Sequence, residues 1–168
     1  LANIPAGGSA ATTLSITVPA DAAPDFYGYR LTIGSTNGNV TSSTIIVVEV
    51  EAEPSVATAF LRQDDVFLPG ESTPTGVQVT NTGNTALDIE WALSQQPSSG
   101  LSPCIGSLVS AQTNGLQPDG IDEVDIVVEV DEHADSSSQC GFRLTASHHH
   151  GEGVVVLDVL DFAVKLAD

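Results

Sequence analysis

The sequence predicts an all-β protein organised as an antiparallel β-sandwich, and three observations carry that prediction. Branched apolar residues alternate with polar ones at a period of two, Gly, Asn and Pro punctuate the alternating runs, and no stretch of about 10 residues or more shows a capped helical period. Val77 and Val79 alternate with Gln78 and Thr80, after which Asn81-Thr82-Gly83-Asn84 reads as a turn, because Gly and Asn tolerate positive φ. Leu87, Ile89, Trp91 and Leu93 then share one face, with Asp88 and Glu90 on the other. Such a clean period of two implies one buried and one wetted face, as antiparallel sandwich sheets require. Near Asp158 the apolar face of the last run changes parity, which predicts a β-bulge or a strand leaning from one sheet to the other.

Internal repetition sets the domain organisation. Gly28-Tyr29-Arg30-Leu31-Thr32 recurs as Gly141-Phe142-Arg143-Leu144-Thr145, a step of 113 residues. An alternating run precedes each copy, Leu14, Ile16 and Val18 in one case and Val124, Ile126, Val128 and Val130 in the other, and a Gly-containing turn follows each. A step of that size matches one sandwich module of about 100 residues. Residues 54–168 therefore read as one complete module, and residues 1–53 as the last three strands of a partial one. Glu51-Ala52-Glu53-Pro54-Ser55 reads as the linker between them.

The 168 residues hold 22 Asp and Glu against four Lys and Arg, a formal charge of −18. Association with nucleic-acid phosphates or anionic headgroups is repulsive at that charge, so a nucleic-acid role is excluded. No run reaches the roughly 18 apolar residues of a membrane span, so the chain carries no membrane insertion of that kind. Leu1 does not read as a native start, and the first residues lack the charged and apolar regions of a signal peptide, which suggests a mature or excised piece. Cys104 and Cys140 form either one disulfide or two buried thiols. Their polar, loop-like surroundings favour the disulfide, which would stabilise by roughly 4 kcal/mol.

Three stretches resemble a known family: Leu68-Pro69-Gly70-Glu71, Val77 through Asn84, and Leu87-Asp88-Ile89-Glu90-Trp91. Together they look like the CARDB and NEW3-like group of immunoglobulin-like modules found in prokaryotic extracellular proteins. The run Ile16-Thr17-Val18-Pro19 followed by Tyr27-Gly28-Tyr29 resembles the later part of the same pattern. The resemblance implies an immunoglobulin-like antiparallel β-sandwich in a stalk, spacer or adhesion array, secreted or at the cell surface. Val77, Val79, Ile89, Trp91, Phe142 and Leu144 are the expected core. The Val77 run has no cysteine, so the antibody-type inter-sheet disulfide is not expected.

Candidate chemistry is sparse. His148-His149-His150 could bind a soft divalent metal, yet neighbours on extended backbone point in opposite directions, and alignment with Thr36–Gly38 puts the triplet in a hairpin turn. Asp119, Asp122, Glu123 and Asp125, and separately Asp131, Glu132 and Asp135, are the carboxylates that loops could offer to calcium, the one cation the sequence suggests; no other cofactor is called for. His133 beside Asp131, Asp135 and several serines invites a hydrolase triad, but no serine sits in a Gly-x-Ser-x-Gly elbow. Asn39-Val40-Thr41 is an acceptor pattern for N-glycosylation.

The expected function is thus a non-catalytic structural or binding module whose partners are neighbouring modules or subunits. Two other readings stay open: a surface-filament subunit whose partial module is completed by a neighbour's strands, and an accessory calcium- or carbohydrate-binding domain of an extracellular enzyme. One Trp and two Tyr leave few aromatic platforms for sugar.

Overall fold

A computed structural model describes residues 4–36, 38–62, 66–96, 102–135 and 138–167. Among these residues ten strands follow one another: β1 (Asp25–Gly34), β2 (Thr41–Val50), β3 (Val56–Phe60), β4 (Ser72–Asn81), β5 (Leu87–Gln95), β6 (Cys104–Leu108), β7 (Gln112–Leu116), β8 (Ile121–Val130), β9 (Gln139–His150) and β10 (Gly153–Lys165). The last eight form two antiparallel four-stranded sheets, ordered β3-β4-β8-β6 and β10-β9-β5-β7. That is the two-sheet arrangement of an immunoglobulin-like sandwich, with β5 as its third strand and β9 as its penultimate one. The connection from β5 to β8 supplies an edge strand to each sheet, β6 to one and β7 to the other.

Period-two burial builds the core. On one sheet Val77, Val79, Val124, Ile126 and Val128 turn inward, and on the other Leu87, Ile89, Trp91, Phe142 and Leu144 meet them, all buried. The Trp91 indole donates to Thr113 Oγ1 at 3.1 Å, so its one polar atom is satisfied inside the core. Phe142, Phe162 and Phe60 stack in a row, with ring centroids 5.5 and 4.7 Å apart, and link β9 and β10 to β3 of the facing sheet. The register of β10 shifts between Val156 and Asp158, where the apolar parity changes. That irregularity aims Asp158 Oδ2 at β3, where it accepts from Thr58 N at 3.1 Å and from Thr58 Oγ1 at 2.6 Å, stitching the open edge of the sandwich.

Cys104 and Cys140 are disulfide-bonded, with Cα atoms 5.9 Å apart. Contrary to their loop-like sequence context, both lie at strand starts and both are buried. The bond joins β6 of one sheet to β9 of the other, so an inter-sheet disulfide is present, with β6 in place of the β4 partner that the antibody type would use. Close approach follows around it: a Cβ on Gly106 would stand 2.6 Å from the Phe142 ring, so only glycine fits at that point of β6.

Residues ahead of the linker differ from the expected three strands. β1 and β2 form a two-stranded sheet in which Tyr27 faces Val48 and Tyr29 faces Ile46, while 4–24 hold no strand. Residues 14–22 instead run across the apolar face of this sheet, where they line two hollows with Tyr27, Tyr29, Leu31, Ile46, Val48 and Val50. The reason is physical: β8, which occupies the corresponding place in the complete module, is laddered on both sides by β4 and β6. Among the described residues no counterpart of those two strands flanks 14–18, so its alternation finds no backbone partners.

The Cys104→Ser, Cys140→Ser double variant is expected to stay folded and to lose about 2–5 kcal/mol of stability. Urea denaturation followed by Trp91 fluorescence measures the loss.

Candidate functional site

The most elaborately built polar site is the joint between the β1–β2 unit and the sandwich. Its foundation is Asn81, fully buried at the end of β4. Asn81 Nδ2 donates to Thr85 O and to Leu116 O, each at 2.8 Å, and its Oδ1 accepts from Gly83 N at 2.9 Å. Two of these hydrogen bonds shape the 81–85 turn, and the third anchors it to Leu116 at the end of β7.

Onto that turn the linker is laid backbone to backbone. Thr82 N and Gly83 N donate to Ser55 O at 2.9 and 3.1 Å, and Asn84 N donates to Glu53 O at 3.3 Å. Gly83 is required by proximity, since a Cβ there would fall 2.2 Å from Glu53 O. The Asn84 side chain completes the clasp: its Oδ1 accepts from Glu53 N at 2.8 Å, and its Nδ2 donates to Glu51 O at 3.0 Å and to Ala22 O at 3.3 Å. One carboxamide therefore holds the linker, the 14–22 crossing segment's end and the sandwich together. His150, from the tip of the β9–β10 hairpin, faces the same region and lines a hollow with Asp25, Phe26, Glu49 and Glu51.

The other sequence-predicted residues are placed as follows. His148, His149 and His150 are the last three residues of β9 rather than the turn, which is Gly151-Glu152 with Gly151 at φ 61°. Their counterpart stretch 36–38 includes Asn37, which lies outside the described residues. Strand alternation turns His149 away from the other two: His148 Nδ1 sits 2.8 Å from Asp88 O, while His149 Nε2 sits 3.2 Å from Glu90 Oε2 on the outer face. Asp119 occupies the turn before β8 at φ 59°, whereas Asp122 and Asp125 stand on opposite faces of β8. Glu123 faces Arg62 at 3.9 Å. Among the described residues no group of three or more His, Cys, Asp or Glu is arranged to hold a metal ion.

His133 is exposed in the turn after β8, with its Nδ1 3.4 Å from Asp131 Oδ1 and 3.7 Å from Glu132 Oε1, a surface contact between neighbouring side chains of one turn. Ser136 and Ser137, two of the serines near it in sequence, lie outside the described residues. Asn39 is exposed in the connection from β1 to β2.

One ion pair has ideal geometry. Arg143 and Asp161 are directly opposed on β9 and β10, and the guanidinium binds both carboxylate oxygens, Nε to Oδ1 at 2.7 Å and Nη2 to Oδ2 at 2.8 Å. Hydrogen bonding from Arg143 holds the Asp161 carboxyl below its ordinary value; its charge and a hydrogen bond from Gln96 act the same way, and desolvation opposes them.

Sequence reasoning missed Asn81 and Asn84 as functional residues. The available signal was two asparagines flanking a glycine in a turn, in a chain whose linker has to dock somewhere.

No family model matches the chain, and no curated protein matches it. Among solved structures it is similar to domains 4 and 5 of the S-layer protein SbsC, at 13% identity over 96% of this chain and 87% of that one, with a TM-score of 0.44. It is also similar to the ASH/PapD-like domain 7 of human CEP192, at 15% identity over 67% of this chain and 84% of that one, TM-score 0.41. A third is the GAE domain of GGA2p from Saccharomyces cerevisiae, at 10% identity over 68% and 93%, TM-score 0.34. The sandwich assignment rests on the ladders and burial above.

Replacing Asn84 with Ala is expected to speed hydrogen exchange of the Glu53 amide severalfold while lowering the sandwich's own stability by only about 1 kcal/mol. Exchange followed by NMR separates the two effects. For Asp161 the sign is fixed by its depressed folded-state value: the ion pair contributes above the unfolded carboxyl value of about 3.9 and is lost as pH falls through the lower folded one. The stability gap between the parent chain and Asp161→Asn is therefore expected to shrink below about pH 4, as read from urea midpoints along a pH series.

Proposed function

We propose that this chain is a non-catalytic spacer or binding segment of a secreted or cell-surface protein, part of a tandem array of CARDB- or NEW3-like modules. The observation that carries the reading is the joint. A clasp in which Asn84, Gly83 and Thr82 capture the linker backbone between Glu51 and Ser55 has no use in catalysis, and it fixes one module's orientation on the next. A spacer needs that property, since a flexible linker shortens and blurs the reach of an array.

Two further features support the reading. The inter-sheet disulfide suits an oxidising compartment outside the cytosol. The sandwich's three buried polar or charged residues are Thr75, Asn81 and Thr113, and its one half-buried aspartate, Asp158, is held by Thr58, so among the described residues no carboxylate or histidine is fully buried in its interior.

Spin labels on Ser43→Cys and Glu129→Cys, one on each side of the joint, test it. A single narrow distance distribution is expected. A broad distribution, or turnover on any substrate abolished by one side-chain change, would sink the proposal.

A further inference from the structure

We propose that β1 is an acceptor edge for one more antiparallel strand of the β5 type, supplied by a stretch of the same polypeptide ahead of residues 4–24. The repeat identifies the occupant. β1 and β2 correspond to β9 and β10, with Tyr29 opposite Ile46 as Phe142 is opposite Phe162. On its other side β9 pairs with β5, through Trp91 with Ala146, Leu93 with Leu144, Ser94 with Arg143 and Gln95 with Phe142. Moved by the repeat step of 113 residues, the same register sets an incoming strand against Ile33, Leu31, Arg30 and Tyr29.

Exposure shows what that strand and its sheet partners would cover. Phe142 and Ala146 are 0% and 1% exposed, whereas their counterparts Tyr29 and Ile33 are 45% and 58% exposed. In the described residues β1 pairs with β2 alone, so its outer edge offers unpaired amides and carbonyls beside an apolar face. Charge adds a second, independent mark. Arg143 meets Asp161 across the β9–β10 ladder, but Arg30 stands opposite Ile45, and among the described residues no carboxylate pairs with it. The incoming residue facing Arg30, at the position Ser94 holds in β5, is therefore acidic.

Chain order selects the source. In the complete module β3 to β7 all precede β8, and the counterpart of β8, residues 14–18, already lies over the apolar face. A second copy is disfavoured, because two chains of formal charge −18 repel one another and a tethered strand avoids the entropy of association. The acceptor property depends on β1 and stands whether or not the joint is stiff.

The probe is a synthetic peptide with the sequence of Thr85–Gln96, added to the full chain and followed by amide NMR. Saturable shifts centred on Tyr29–Gly34 are expected, and a peptide carrying Ser94→Glu should bind about twofold to fivefold more tightly at low salt. That gain should vanish in the Arg30→Ala chain. Absence of β1 shifts at millimolar peptide, shifts confined to Thr41–Val50, or concentration-dependent dimerisation through β1 without peptide would each overturn the proposal.

Discussion

A β-sheet with one apolar face holds together in water only when a second layer covers that face, and this requirement organises the whole chain. In residues 56–166 it is met twice over, because each sheet covers the other. Valines and isoleucines of β4 and β8 interdigitate with Leu87, Ile89, Trp91, Phe142 and Leu144, and the Cys104–Cys140 bond pins the layers where Gly106 lets them approach. The β1–β2 sheet has a similar apolar pattern, and among the described residues 14–22 are laid across it. Similar local chemistry thus gives a dry core in one unit and a half-covered face in the other, the difference being the strands that stand opposite.

Acidity plays little part in that packing. Carboxylates are costly to bury, so they take the wet positions of each strand: Asp88 and Glu90 on β5, Glu123 and Asp125 on β8. Their abundance makes clusters of acids uninformative about metal sites. Asp122 and Asp125 are close in sequence but project from opposite faces of β8, and the same alternation turns His149 to the face opposite His148 and His150. Where basic residues are so few, the bidentate Arg143–Asp161 pair is the more telling feature, and its absence at Arg30 distinguishes two otherwise matching strands.

Period-two patterning made much of the fold legible. Val77, Val79, Ile89, Trp91, Phe142 and Leu144 could be placed in a core because burial on a strand depends on parity, a property of sequence alone. The parity change at Asp158 was legible for the same reason. Parity fails where hydrogen-bond partners decide: Leu14, Ile16 and Val18 alternate like a strand, yet a strand is a ladder with a neighbour, and none flanks them. Alignment fails where lengths differ. Pairing of Val154 and Val155 with His149 and His148 carries β9 on to His150, turning an expected loop into strand. Two cysteines allow only one intrachain bond, but that it crosses between sheets follows from strand order, which sequence did not supply.

The joint was the least legible part, and the reason lies in how it is made. Among the described residues, every hydrogen bond that the 81–84 turn makes to the linker ends on a backbone atom of Glu51, Glu53 or Ser55, except the 2.9 Å pairing of the Ser55 and Thr82 hydroxyls. Linker side chains are therefore almost free to vary, and Glu51 and Glu53 carry no trace of the docking in their identity. Specificity resides on the receiving side, in a glycine that must have no Cβ and a carboxamide with one acceptor and two donors to spend. Behind them Asn81 ties the same turn to Leu116 O at the end of β7. The linker is thus connected through Asn84 and Gly83 to Asn81, and through Asn81 to a strand of each sheet. A side chain buried for its three hydrogen bonds, rather than for its apolar area, is what converts a surface turn into a fixed mounting point.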